Sequence, residues 1–373
     1  MIVYIALLAG TAALGVPLCG KKAGKPGKAV YCSLMGIAFF VISALRCSTG
    51  HDYNSYAAMY LGFIPQTPEE IGVSRIEKGY ALINKLLADY IPDYRVMFAI
   101  CALFFAVAVT LCVYRYCEMP WLGFSCFLTL GVYFNSLNFL RQMIAGFIVL
   151  YALHYITERR FLRYLVIVIF ASCFHLSALI MIPFFFILKI RLTPVTLGIY
   201  AGITTLLMIF SQQIIDLVTD FVYKGYTVTN VHVTTGVDPV YMVFFAVFLA
   251  AAFIIRKRLT DADSFNGVLL GCMFFTFFFE LLGVKHSILS RFGVFFIIPS
   301  AIILMPRVIL AFLGKWRELS DTKKRRTLSA VTVAAFAAVN ITLYGLMLAR
   351  NYNGVMPYRT VFDDMEAAEG AGK

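Results

Sequence analysis

The chain has 373 residues, of which 61% are hydrophobic and 14% charged, against the roughly 25% charged residues of an average soluble domain, so a water-exposed globule is excluded. Its formal charge of +12 sits in short basic clusters between apolar runs, not on a stripe interleaved with exposed aromatics, which excludes nucleic acid as the partner and marks the clusters as topology signals. Apolar runs recur from residue 2 to residue 348 and leave no room for an independent soluble domain.

The fold expected is therefore all-α: one polytopic transmembrane bundle over residues 1–348 with about 11–12 membrane segments, followed by an extracytoplasmic tail, 349–373. In chain order the predicted spans are 2–19, 29–45, 96–114, 120–135 and 139–156. The first lacks the positive leader of a secretory signal and reads as a retained span. A continuous apolar stretch follows at 162–189, and then spans at 194–211, 239–255, 265–283, 292–310 and 328–348.

Lys and Arg accumulate in loops kept on the cytoplasmic side. Lys21, Lys22, Lys25 and Lys28 follow the first span, Arg159, Arg160 and Arg163 the fifth, then Arg256 to Arg258, and six more lie between Lys315 and Arg326. Placing all of them on one side forces residues 162–189 to cross twice. The fold-back falls around His175 and Ser177, with Tyr164 to Phe174 going out and Ala178 to Leu188 returning. Short interrupted segments at membrane depth are tolerated where they line a protein-enclosed cavity.

This topology places both termini outside, along with two polar stretches, 46–95 and 212–238. In the first, Ile76, Tyr80, Ile83 and Leu87 recur at helical spacing and predict an amphipathic helix on the outer surface. The second has no clear period and is a candidate lid. Residues 366–373 read as a frayed tail. Eight of the nine cysteines lie in or beside apolar runs, with no CxxC pair and no Cys/His ligand spacing, so neither a disulfide framework nor a metal site is expected.

Basic residues are least expected at extracytoplasmic helix ends. Arg46, Arg141, Lys285 and Arg291 are predicted there, Arg141 in NSLNFLRQMIAGF beside Gln142, and Arg291 in KHSILSRFGVFFIIP. Each either snorkels outward or binds an anion, and a guanidinium suits phosphate oxygens because its donors are planar and paired. His175 is either a histidine satisfied within the core or a general base for a sugar hydroxyl. Asp52, Tyr53, Tyr56, Glu77 and Tyr80 lie in GHDYNSY and RIEKGY; such acidic and aromatic groups suit a sugar, and they equally suit a loop pinned by pairing with Arg46. No Walker loop, dinucleotide fingerprint or HExxH helix is present, so no cofactor or metal is expected and any chemistry must use side chains directly.

The segments GHDYNSY, RIEKGY, FLRQMIAGF, YITERRFLRYL, FHLSALIMIP and MPYRT, in this order between the spans, resemble the EpsG family of Wzy-like polysaccharide polymerases. The resemblance covers most of the chain. It implies a glycosyltransferase at the outer face of the bacterial cytoplasmic membrane that joins oligosaccharide repeat units carried on undecaprenyl pyrophosphate into exopolysaccharide or capsule. Membrane lipids, a flippase and a chain-length regulator would be its surroundings. On this reading Arg141 and Arg291 hold the pyrophosphate, His175 activates the acceptor hydroxyl, and Asp52 with Tyr53 binds sugar or orients His175, with Gln142, Glu77 and Arg46 in support. Arg291 falls outside the matching motifs. A flippase of lipid-linked oligosaccharide and a related glycan ligase are the alternatives.

Overall fold

A computed structural model of the chain describes residues 1–20, 24–213, 216 and 237–363. Lys21 and Lys22, most of the candidate lid at 212–238 and the tail from 364 onward lie outside the described residues. The rest is an all-α polytopic bundle. Among the described residues six helices are long and apolar enough to cross a membrane: Gly24–Ala44, Arg95–Tyr116, Leu140–Thr157, Phe265–Gly283, Ser287–Arg317 and Thr322–Ala349. Pro239–Ile254 and Arg256–Ala262, bent by 62°, together have the length and apolar character of a broken span or a re-entrant loop, and Ile2–Leu18, Phe161–Ser172, Leu176–Ile187 and Pro194–Ile209 are shorter apolar helices.

Burial separates the centre of the bundle from its rim. The most apolar window of Ser287–Arg317 is 83% buried and that of Phe265–Gly283 72%, whereas Thr322–Ala349 is only 28% buried. On such rim helices Val331, Val333 and Ile341 face outward, an arrangement that lipid, unlike water, accepts without cost.

The stretch at 162–189 folds back as its charge pattern predicts. The helix Phe161–Ser172 is followed by an extended residue, His175, and then by a 3₁₀ turn, Leu176–Ile180, and the helix Met181–Ile187. Phe161 at the start of the outgoing limb packs on Phe185 and Phe186 at the end of the returning one, with ring centroids 5.0 and 5.3 Å apart. The Tyr164 hydroxyl donates to the Met181 carbonyl at 2.6 Å.

Two predicted elements differ in detail. The single span at 120–135 is two helices, Pro120–Thr129 and Val132–Asn138, divided at Gly131, whose φ of 77° breaks the helix and is costly for a residue with a Cβ. The outer amphipathic helix forms as Lys78–Tyr90 but buries Tyr80, Ala81, Asn84 and Ala88, while Ile83 is exposed and Ile76 precedes the helix. Close approach to the bundle favours the smaller side chains, and the Asn84 amide nitrogen donates to the Tyr80 carbonyl at 2.7 Å.

Polar contacts collect at two ends. Arg95–Tyr116, 22 residues long, separates them by about 33 Å at 1.5 Å per residue. At the end beyond Tyr116, Lys28 donates to the Cys117 carbonyl at 2.8 Å, Arg258 pairs with Glu318 at 2.8 Å and Arg307 with Asp263 at 3.0 Å. At the other end, residues 46–50, 135–138 and 350–360 close on one another. Arg46–Cys47 pairs antiparallel with Arg359–Thr360, Gly50 N–H donates to the Gly354 carbonyl at 2.9 Å, and the Asn138 amide donates to the Asn353 carbonyl at 2.9 Å. The segment after residue 349, read from sequence as a tail, is thus packed into this end as far as Val361, whose N–H donates to the Leu45 carbonyl at 2.9 Å.

Candidate functional site

The same polar end carries the fold-back. The break at His175 leaves the Cys173 carbonyl outside helical bonding, and it accepts from the N–H groups of Gly79 and Tyr80 at 2.9 and 3.3 Å. A Cβ at Gly79 would stand 2.8 Å from that carbonyl, so only glycine allows the Lys78–Tyr90 helix to dock there. This contact sets Glu77, one residue before the Lys78–Tyr90 helix, against the fold-back.

Glu77 is the hub. Its Oε1 faces His175 Nδ1 at 2.9 Å and accepts from the Leu176 N–H at 3.2 Å, while its Oε2 pairs with Arg141 Nη1. All three side chains are largely but not wholly buried, at 15% exposure for Glu77, 16% for His175 and 25% for Arg141. Burial acts most strongly on the Glu77 carboxyl and by itself raises its pKa. The His175 hydrogen bond and the Arg141 charge outweigh it and hold the group at about 2, so it is ionised at neutral pH. An ionised carboxylate only accepts. The proton of a neutral His175 ring therefore resides on Nδ1, leaving the lone pair on Nε2.

Arg141 has further neighbours from the outer segment. The Tyr80 ring centre lies 5.9 Å from its guanidinium carbon, and the Tyr56 phenol, raised by burial and lowered in part by the Arg141 charge, remains neutral beside it. Its Nε has no hydrogen-bond partner. One residue on, the Gln142 amide donates to the Arg291 carbonyl at 2.6 Å. The Arg291 guanidinium lies 5.0 Å from the centre of the Phe139 ring and makes no salt bridge among the described residues. The sequence thus names five residues that the structure brings to one seam: Glu77, Arg141, Gln142, His175 and Arg291.

The other three belong elsewhere. Arg46 is 3% exposed, donates to the carbonyls of Thr49, at 2.8 Å, and Leu137, and lies over the rings of Tyr53 and Phe98 at 5.5 and 4.9 Å. Its partners are main-chain oxygens and aromatic faces, not Asp52, so the pairing considered from the sequence is not formed. Tyr53 is 2% exposed and stacked on Phe98 with centroids 4.2 Å apart, with no ring face free for a sugar. Asp52 sits before the helix Tyr53–Phe63, its N–H 3.4 Å from Asn138 Oδ1. The carboxylate that contacts His175 Nδ1 is Glu77, so the orienting role offered to Asp52 is filled by the residue cast in support.

One ionisable residue at this end is missing from the candidates that the sequence supplies. Glu280 is the only acidic or basic residue in Phe265–Gly283. An isolated carboxyl inside an apolar span is a functional signal in its own right, and it is legible in the sequence.

The fold and this seam define a class: a multi-pass membrane protein with a carboxylate, imidazole and guanidinium centre at one polar end of its bundle. The chain belongs to the EpsG family, whose model matches residues 29–360, from within the Gly24–Ala44 helix to the strand that closes the polar end. No curated protein and no solved structure matches it.

Proposed function

We propose that this EpsG-family protein is a Wzy-like polymerase. It joins undecaprenyl-pyrophosphate-linked oligosaccharide repeat units into exopolysaccharide or capsule, with the Glu77–His175–Arg141 seam at the extracytoplasmic face of the cytoplasmic membrane. The observation that carries the proposal is the shared carboxylate: Glu77 holds His175 on one oxygen and Arg141 on the other. The orientation follows from the basic residues at the opposite end, among them Lys28, Arg258 and Lys315 to Arg326, which the positive-inside rule assigns to the cytoplasm.

In the reaction, the terminal hydroxyl of one lipid-linked unit attacks the anomeric carbon of the growing chain. The bond from that carbon to the pyrophosphate oxygen breaks, and undecaprenyl pyrophosphate leaves with the electron pair. His175 Nε2 accepts the hydroxyl proton, and the Glu77 carboxylate stabilises the resulting imidazolium, as a positioned general base requires. Charge developing on the leaving group needs fixed donors. Arg291, free of a carboxylate partner among the described residues, supplies the larger share, and Arg141, half-neutralised by Glu77, the smaller.

Purified protein given the lipid-linked repeat unit without nucleotide should produce a ladder of lengthened products. Translocation without lengthening would identify a flippase. Transfer of finished glycan to a different acceptor would identify a ligase.

A further inference from the structure

A second group of polar side chains begins near Gly293. Gly293, two residues after Arg291, is close enough to Glu280 that a Cβ there would stand 3.9 Å from the carboxyl Oε1. Glu280 is half-buried and forms no hydrogen bond or ion pair with the described residues. Tyr352, after the last helix, is 41% exposed, and its ring packs on that of Tyr241 with centroids 4.8 Å apart. The start of the Tyr241 helix is tied to the end of the Glu280 helix where the Val237 N–H donates to the Gly283 carbonyl at 2.8 Å, and the Tyr352 phenol, pushed up by burial first, is also pushed up by the charge of Glu280 and drawn down by that of Arg291. Tyr241 is 4% exposed, yet its hydroxyl has no hydrogen-bond partner.

A buried hydroxyl and a carboxyl left without partners are each costly unless a ligand completes them. A half-exposed aromatic face beside them offers the apolar side of a pyranose a surface, and the carboxyl and guanidinium offer its hydroxyls an acceptor and donors.

We propose that Glu280, Tyr352, Tyr241 and Arg291 form a sugar-binding subsite for a pyranose of the repeat unit. Arg291, assigned to the pyrophosphate, is the residue this subsite shares with the seam, so the pyranose would lie next to the leaving group. The assignment of the ligand as a repeat unit rests on the polymerase reading; the prediction that a pyranose binds here does not.

The test uses the full-length protein in detergent with Tyr352→Trp as an emission reporter. Trp121 and Trp316, the two native tryptophans, give a constant background. The probe is the lipid-free oligosaccharide released from the producing strain's polymer, with inorganic pyrophosphate as a separate titrant. The subsite predicts a saturable change in emission with the oligosaccharide, an apparent Kd about tenfold or more weaker when Glu280→Gln is added, and recovery of part of the loss in Glu280→Asp. Arg141→Ala should leave oligosaccharide binding within about twofold, a change too small to reflect a lost direct contact.

No saturable response, a response to pyrophosphate alone, or an unchanged Kd in both Glu280 variants would overturn the proposal. If the wild-type protein binds oligosaccharide but never lengthens it, the polymerase reading falls and the subsite stands. If it lengthens the lipid-linked unit without this binding, the subsite falls and the polymerase reading stands.

Discussion

Arg46 and Arg141 occupy comparable places in the sequence, each near a helix end on the same polar face, and the structure uses them in opposite ways. Arg46 is enclosed, its donors turned to the Thr49 and Leu137 carbonyls and its flat face covered by Tyr53 and Phe98. Arg141 keeps a quarter of its side chain exposed, shares a carboxylate with a histidine and leaves Nε without a partner. A cation at the outer end of a span is therefore ambiguous by type alone. What separates the two is whether the guanidinium is enclosed by main-chain carbonyls and aromatic faces or stays partly open beside a shared carboxylate.

That contrast can be broken experimentally, and the largest effect is expected at the seam. His175→Ala and Arg141→Ala should each reduce product lengthening by at least about a hundredfold, with membrane insertion and the mobility of the detergent-solubilised protein unchanged. Glu77→Gln should cost less, about ten- to a hundredfold in rate, because the ring keeps a hydrogen-bond partner but loses the charge that stabilises an imidazolium.

Arg46 should show the inverse pattern. Arg46→Met leaves buried carbonyls without donors, and removing one partner of such a contact costs about 1–3 kcal/mol per orphaned group, so the unfolding temperature should fall while the rate per folded molecule holds within about twofold. Asp52→Ala, on this account, changes lengthening least, by less than about threefold, because the carboxylate in contact with His175 is Glu77.

The pH dependence of stability sharpens the same point. The Glu77 carboxyl lies below its ordinary value of 4.5, at about 2. A group whose pKa is depressed on folding contributes stability that is complete above the unfolded value and is lost as the pH falls through the folded one. The difference in unfolding temperature between wild type and Glu77→Gln should shrink as the pH falls from about 5.5 through 4.5 toward 2. A difference that stays level over that range would show that Glu77 is not held as an anion.

Much of this architecture is legible in the chain. The grouping of Lys and Arg into loops expected on one side predicts a fold-back within 162–189, and the structure has it, with His175 at its turn. The residues of the seam are legible as types, because Arg141, His175 and Arg291 are expensive where they stand. Their pairing is not legible. Nothing in the spacing of residues 52, 77 and 175 says which carboxylate meets the imidazole; that depends on Gly79 letting the outer helix reach the Cys173 carbonyl. The face of the Lys78–Tyr90 helix is missed for a related reason, since close docking selects small residues such as Ala81 and Ala88 over Ile83. Arg46 misleads because main-chain carbonyls, which satisfy it, leave no trace in side-chain sequence.

The central claim is that an outward-facing imidazole, held by Glu77, drives glycan lengthening without a nucleotide. The most direct test is a gel of products formed from undecaprenyl-pyrophosphate-linked repeat units by purified wild-type and His175→Ala protein reconstituted in liposomes. The account predicts a ladder from the wild type and only the input unit from the variant. Equal ladders from both, or transport of the unit across the bilayer with no lengthening by either, would contradict it.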